Sequence, residues 1–332
     1  MDRPRVLFAG PEFPAARGHL AVVVPGIQMA DLDRSGAGVA KGAEVLVPLM
    51  APVDAALLDT VSGLRVVQQW GAGLEGVDIA AATERGIAVG NVTSLESGSA
   101  DSVAEWCVMA ALALSRRLGQ LDPAMRAGST WGAPIGRALT GKSAAIIGLG
   151  GIGRALAARL SAFSMELAAV TAHPQRSRSM LPGLREVYGP AALAGVLRTS
   201  DFVFLCLPLT PETRGIIGAP ELQLLREEAC LVNAGRGALV DEEALVAALA
   251  SGRRLTVALD VYWREPLEPD HALLGHPQVL ATPHIAGITD DAYEAIALRF
   301  ADLFHRLEGR LPLGHCVNWA EVAPRFYAER TA

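Results

Sequence analysis

The sequence predicts an α/β fold with parallel sheets, divided between two domains. Short β-type runs alternate with Ala- and Leu-rich helical runs through most of the chain, the pattern of repeated βαβ units. At roughly 150 residues per domain, 332 residues suggest two. Hydrophobic residues make up 51% and charged residues 19%, which excludes a chain that is disordered as a whole.

In chain order, Arg5–Ala9, Glu44–Val47, Arg65–Gln69 and Ile87–Val89 read as strands, with helices at Val53–Val61 and Ile79–Thr83. Asp78 suits the N-cap of the second helix. A long helix is expected over Ser102–Leu118, with apolar residues at Val103, Cys107, Ala110, Ala111 and Leu114. A Gly/Pro-rich stretch with Trp131 follows, from Arg126 to Gly141. A second series then starts with strand Ser143–Ile147, helix Ile152–Ala162 and strand Glu166–Thr171. Further strands are expected at Phe202–Leu205, Cys230–Asn233, Thr256–Asp260 and Val279–Ala281. Asp241 is placed to cap the helix after Asn233, with Glu242 and Glu243 in its first turn, where the helix dipole favours acids. A final helix, Asp290–Leu307, precedes a tail that reads as peripheral.

Charge and cysteines narrow the class. The formal charge of -6 argues against a nucleic-acid partner. Only Lys41 and Lys142 are lysines, an imbalance read as codon bias of a GC-rich genome, although individual Arg residues can still carry chemistry. Cys107, Cys206, Cys230 and Cys316 are scattered, with no metal-ligand spacing, and are read as core residues of a reduced cytoplasmic protein with no metal site. The apolar run at the N-terminus is too short for a secretory signal, and no segment approaches the ~20 apolar residues needed to span a membrane.

Gly148-Leu149-Gly150-Gly151-Ile152-Gly153 matches G-x-G-x-x-G between an apolar strand and an Ala-rich helix, the context this motif requires. Gly148 would permit the tight turn, Gly150 would admit a pyrophosphate to the backbone, and Gly153 would allow close helix–strand packing. The first-turn residues Gly151 and Ile152 would face the same anion. These features point to a dinucleotide. At the end of the second strand, Val170-Thr171-Ala172-His173-Pro174-Gln175-Arg176-Ser177-Arg178 holds no acid. An acid there would bind the ribose 2′-hydroxyl, whereas Thr171 with Arg176 or Arg178 suits a 2′-phosphate, which favours NADP(H) and leaves NAD(H) as the alternative.

Three later strand ends carry polar residues: Asn233-Ala234-Gly235-Arg236-Gly237, Asp260-Val261-Tyr262-Trp263-Arg264-Glu265-Pro266 and Thr282-Pro283-His284-Ile285-Ala286-Gly287. Ligands of open α/β sheets bind at the carboxyl ends of strands. Arg236, Glu265 and His284 would supply a cation, an acid and a proton carrier there, although each also has an ordinary structural explanation.

With these segments in order, the chain resembles the D-isomer-specific 2-hydroxyacid dehydrogenases, from about Trp70 to Asn318. The resemblance rests on Gly71-Ala72-Gly73 with Val77-Asp78, Val103-Ala104-Glu105, Leu139-Thr140-Gly141-Lys142, the glycine loop, Leu207-Pro208-Leu209-Thr210-Pro211-Glu212-Thr213, and the Arg, Glu and His segments. It implies two flavodoxin/Rossmann-like doubly wound domains with a central cleft: a split substrate domain, residues 1–98 and 289–332, and a dinucleotide-binding domain, residues 99–288. The helix from Ser102 and the last helix would link the two. The resemblance makes His284 the general acid for the keto oxygen, Glu265 its partner, and Arg236 the clamp on the substrate carboxylate, assisted by the loop at Ala72, Gly73 and Leu74. It also assigns Cys206, Leu207, Pro208, Thr213, Ala234, Asp260, His284 and Gly287 to the cofactor site, Asp260 at the nicotinamide carboxamide. A homodimer joined through the coenzyme domain is implied as well, acting on a small 2-keto or 2-hydroxy acid.

Departures from the family pattern refine this expectation. Thr171 stands where NAD-using members keep Asp. Glu265 is retained where formate dehydrogenases use Gln. Gly287-Ile288 replaces a common Trp, Leu74-Glu75 replaces a common aromatic–acid or aromatic–amide pair, and Trp263 is unusually bulky. The expected activity is NADPH-dependent reduction of a glyoxylate- or hydroxypyruvate-like acid. NAD-dependent turnover of a bulkier D-2-hydroxy acid, or a nucleotide-sensing corepressor-like binding role, are the alternatives.

Overall fold

The computed structural model describes residues 5–9, 14–32, 42–128, 132, 134–176, 181 and 183–327. The chain divides into two compact units, Met1–Gly98 with Asp290–Ala332, and Ser99–Thr289. The first begins with β1 (Arg5–Phe8), α1 (Pro14–Val23), β2 (Gln28–Asp31), β3 (Val45–Val47), α2 (Ala55–Thr60), β4 (Val66–Gln68), α3 (Ile79–Glu84) and β5 (Ala88–Gly90). The second comprises α4 (Ser99–Ser115), α5 (Leu118–Arg126), β6 (Ser143–Ile147), α6 (Gly151–Ser161), β7 (Glu166–Val170), β8 (Leu184–Tyr188), α7 (Leu193–Thr199), β9 (Phe202–Leu205), α8 (Ala219–Leu224), β10 (Cys230–Asn233), α9 (Glu242–Ala250), β11 (Thr256–Leu259) and β12 (Val279–Ala281). The first unit is completed by α10 (Asp290–Glu308) and α11 (Trp319–Phe326).

Both sheets are parallel. The first unit's runs β2-β1-β3-β4-β5, the second's β12-β11-β10-β9-β6-β7-β8. Successive strand residues face opposite sides, so helices on both faces demand apolar residues at every position. In the first sheet Val6 and Phe8 pack with Leu20 of α1 and Phe300 of α10, while Leu7 packs on the other side with Leu58 of α2 and Ala82 of α3. In the second, Ile146 and Phe204 pack against α4 and α6, whereas Ile147 and Leu205 pack against α7, α8 and α9. Asp54, Asp78 and Asp241 cap α2, α3 and α9, each accepting the third residue's N–H at 2.8 to 2.9 Å.

The differences from the sequence reading have local causes. β2 and β8 are edge strands with exposed or half-exposed side chains, so they carry no apolar signature. The helix expected over Ser102–Leu118 begins at Ser99 and stops at Ser115, because Arg117 adopts a left-handed conformation (φ 54°) that ends one helix and starts α5. Helices α1, α5, α7, α8 and α11 carried no recognised signal. Trp131 and Arg178 lie outside the described residues. All four cysteines are buried and free. No helix among the described residues is long and apolar enough to cross a membrane.

The C-terminal tail is not peripheral, contrary to expectation. Leu313, Cys316, Val322 and Phe326 belong to the first unit's core. Asn318, 3% exposed, accepts the Val89 N–H at 2.8 Å and donates to the Ile87 carbonyl at 2.9 Å and the Thr83 hydroxyl at 2.8 Å. The tail thus closes the edge at β5. Asn318→Leu would take the partner from the Val89 N–H and the Ile87 carbonyl and is expected to cost about 2–4 kcal/mol in urea denaturation; an unchanged midpoint would refute this role.

Candidate active site

The site is built at the carboxyl ends of the second unit's strands. β6 lies between β7 and β9, where the strand order reverses, the usual place for a ligand crevice. Its exit residue Gly148 has φ +100°, and a Cβ there would sit 2.6 Å from the Cys206 carbonyl, so the turn admits only glycine. A Cβ on Gly153 would overlap the Gly148 carbonyl, so α6 packs directly on its own entry loop. Gly150, by contrast, has nothing within 4 Å of its Cβ position. It caps α6 without a side-chain bond, leaving the first-turn amides, Gly151 and Ile152 among them, available to an anion. An obligate tight turn, an open face and an uncapped helix start fit a dinucleotide pyrophosphate.

The neighbouring loops continue this rim. Cys206 donates its N–H to the Ile147 carbonyl at 2.8 Å, which holds the β9 exit beside the glycine loop. Leu207 and Pro208 follow, and the Thr213 hydroxyl donates to the Pro208 carbonyl at 2.8 Å, tying that loop off. Ala234 is buried just after β10, and Gly287 packs near Val103. Thr171 is half-buried at the exit of β7, its N–H bonded to the Tyr188 carbonyl at 2.9 Å. Arg176 ends the 3-10 turn Pro174–Arg176, and its side chain lies outside the described ones.

Three loops assemble the polar set. At the end of β10, fully buried Asn233 accepts the Gly235 N–H at 3.1 Å and donates to the Arg236 carbonyl at 2.9 Å, closing the turn that holds half-buried Arg236. A Cβ on Gly237 would overlap the Tyr262 backbone, so the β10 and β11 exits are in direct contact. After β11, Asp260 is 1% exposed. One of its oxygens accepts the Thr282 hydroxyl at 2.6 Å and the Ile285 N–H at 2.8 Å, and the other accepts the Ala286 N–H at 2.8 Å. Burial pushes the Asp260 carboxyl up, while these three donors and His284 oppose the rise. Asp260 therefore holds the loop that carries His284, which adopts φ +55°.

His284 meets Glu265 at 2.6 Å through Nδ1. The other Glu265 oxygen accepts the Tyr262 N–H at 2.9 Å. Burial alone would raise the Glu265 carboxyl, but the bond to His284, the His284 charge, the Tyr262 amide and the Arg236 guanidinium outweigh it and hold it below the ordinary value of 4.5. With Nδ1 engaged, Nε2 is the nitrogen left for proton exchange. Trp263 donates from Nε1 to the Val240 carbonyl at 2.6 Å and stacks on His271, so its bulk packs against α9's entry.

Ala72, Gly73 and Leu74 belong to the other unit, in the turn after β4. Gly71 has φ +131°, Ala72 is exposed, and Gly73 and Leu74 are half-buried. Asn91 donates to the Ala72 carbonyl at 2.7 Å and Gln69 to the Gly73 carbonyl at 2.9 Å. The sequence reading gave no role to Asn233, Thr282, Gln69 or Asn91. The signal available was a polar residue at the end of an apolar strand, as at Asn233, Thr282 and Gln69. Among the described residues, no cluster of His, Cys, Asp and Glu could hold a metal ion.

The sequence pattern of the D-isomer specific 2-hydroxyacid dehydrogenase NAD binding domain matches residues 108–286, more than half of the chain. The chain belongs to this family. Among its relatives is a glyoxylate reductase of Aeropyrum pernix, 35% identical over 82% of this chain and 82% of that protein. A D-3-phosphoglycerate dehydrogenase of Archaeoglobus fulgidus is 33% identical over 84% of this chain, a match that spans only about half (52%) of that longer protein. In structure, the chain is similar to an NADPH-dependent glyoxylate/hydroxypyruvate reductase of Sinorhizobium meliloti solved with NADP and sulfate. That likeness has a TM-score of 0.73 and 25% identity, covering 96% of this chain and all (100%) of the other.

As a family member, the protein is expected to lose its Glu265–His284 pair in acid. Because the Glu265 carboxyl is depressed in the fold, its contribution is present above about pH 4.5 and is lost as pH falls through the lower native value. The melting-temperature advantage of wild type over Glu265→Gln is expected above the ordinary carboxyl value and should shrink as pH is lowered below it. A gap that persists unchanged in acid would contradict this.

Proposed function

We propose that the protein catalyses reversible, NADP(H)-dependent reduction of a small 2-keto acid, of the glyoxylate or hydroxypyruvate type, to the D-2-hydroxy acid. The observation that carries this reading is the Glu265–His284 pair at 2.6 Å, with Arg236 close enough to act on Glu265, on the same sheet edge as the glycine loop. A bound nicotinamide would supply the hydride for the carbonyl carbon. His284 Nε2 gives its proton to the keto oxygen and recovers it in the oxidative direction. Glu265 fixes the ring through Nδ1 and balances the imidazolium charge. Arg236 pairs with the substrate carboxylate and orients the carbonyl. Asp260 holds the histidine loop and offers a remaining lone pair to the carboxamide.

The choice of NADP(H) is supported by Thr171 at the β7 exit, where no carboxylate opposes a 2′-phosphate. The second reading, NAD(H) with a bulkier D-2-hydroxy acid, draws on the relatives named D-3-phosphoglycerate dehydrogenase. Four buried, unbridged cysteines suit the reducing cytoplasm. Initial rates on a panel of 2-keto acids with NADPH and NADH test these alternatives. Higher rates with NADPH on glyoxylate or hydroxypyruvate are expected, and His284→Ala should fall by about a thousandfold or more. Equal or better rates with NADH would overturn the cofactor choice. No difference between wild type and His284→Ala on any acid would instead favour a corepressor-like binding role.

A homodimer is part of the same proposal. It is supported by an open apolar groove of about 700 Å³ lined by Val108, Met109, Leu112, Leu118 and Phe163, with Met109 43% and Leu118 58% exposed. Light scattering should give the mass of two chains for wild type and of one for Met109→Glu. A monomeric wild type would refute the assembly.

A further inference from the structure

The turn at residues 71–74 has an unusual hydrogen-bond arrangement. Each of its four consecutive carbonyls has a donor. Gly71 accepts from the Val92 N–H at 2.9 Å, Ala72 from the Asn91 side chain at 2.7 Å, Gly73 from the Gln69 side chain at 2.9 Å and Leu74 from the Val77 N–H at 2.9 Å. The peptides here are trans, so the C=O of one residue and the N–H of the next point opposite ways. Each pinned carbonyl therefore turns the following N–H away from the donor that pins it. The N–H groups of Ala72, Gly73 and Leu74 take no acceptor among the described residues. Oriented backbone amides without an internal acceptor can hold an anion.

Two of the four pins are backbone amides and come with the fold. The other two are side-chain choices, and Gln69 is the more heavily used. Its Nε2 also donates to the Leu49 carbonyl at 2.9 Å, and its Oε1 accepts the Trp70 N–H at 2.9 Å. Leu49 itself holds φ +55°, so the loops after β3 and β4 are locked together through this one amide.

We propose that Gln69 is a positioning residue for the reaction: it fixes the Gly73–Leu74 peptide so that the turn presents its N–H row to the substrate carboxylate. Asn91 does the same for the Ala72–Gly73 peptide. The inference rests on the dehydrogenase reading above and adds to it which side chains orient the carboxylate-binding amides.

The test is Gln69→Glu, which keeps the shape and the Trp70 bond but replaces the donor with an acceptor facing two carbonyls. The KM for the keto acid should rise about 10- to 100-fold, the loss expected for a charge-assisted hydrogen bond. The KM for NADPH should stay unchanged and kcat should fall much less, because the lost interaction is made in ground and transition states alike. Relative to wild type at each pH, the KM penalty should shrink in acid, where the introduced carboxyl protonates and donates again. Gln69→Leu should show the same penalty at every pH. A Gln69→Glu KM within about twofold of wild type, or an equal rise in the KM for NADPH, would overturn the inference. An active wild type with unchanged KM in the variant overturns this inference alone; a wild type inert to every 2-keto acid overturns the dehydrogenase reading and this one with it.

Discussion

The buried carboxylate of Asp260 is the contact on which the rest of the catalytic arrangement depends. A charge at 1% exposure is costly unless it is fully hydrogen-bonded. Here the Thr282 hydroxyl and the Ile285 and Ala286 amides bracket His284 on both sides in sequence and converge on the two oxygens. Those bonds offset part of the cost of burial and at the same time hold a non-glycine residue at φ +55°, a conformation L side chains avoid without outside support. The imidazole is then delivered to Glu265 at 2.6 Å.

The same economy of contact runs along the sheet edge. Gly148 touches the β9 exit, Gly153 touches Gly148, and Gly237 touches the backbone after β11. Successive loops are therefore registered against one another by backbone contacts that no side chain separates. Such contacts are short and stiff, because interiors are close-packed and a single added methyl has nowhere to go. Gly150 is the exception, with open space where the others meet backbone, so it is the glycine of this set that leaves room for a ligand.

Much of this was legible beforehand. β6, β9, β10 and β12 coincide with their expected bounds because each is a short, predominantly apolar run. The caps at Asp78 and Asp241 were visible from residue type and position. Arg236, Glu265 and His284 stood out as polar residues leaving apolar strands. The edge strands β2 and β8 were not legible, since one exposed edge relaxes the demand for apolar residues. The role of Asn318 was hidden as well, because its partners at Thr83, Ile87 and Val89 lie more than 200 residues away.

By itself the sequence determined the α/β class, the glycine loop, the identity of the polar triad and the family, since each depends on residue type at short spacing. The tertiary structure alone decided which groups meet. It turned Asp260 onto the histidine loop, set Glu265 against His284 with the pKa direction that follows, and brought Gln69 and Asn91 onto two loop carbonyls. The reason is physical: hydrogen-bond direction and burial depend on where distant loops come together, which local propensity does not encode. The chain divides into two compact units at residues 98 and 290 because α10 and α11 complete the core that the first strands leave open.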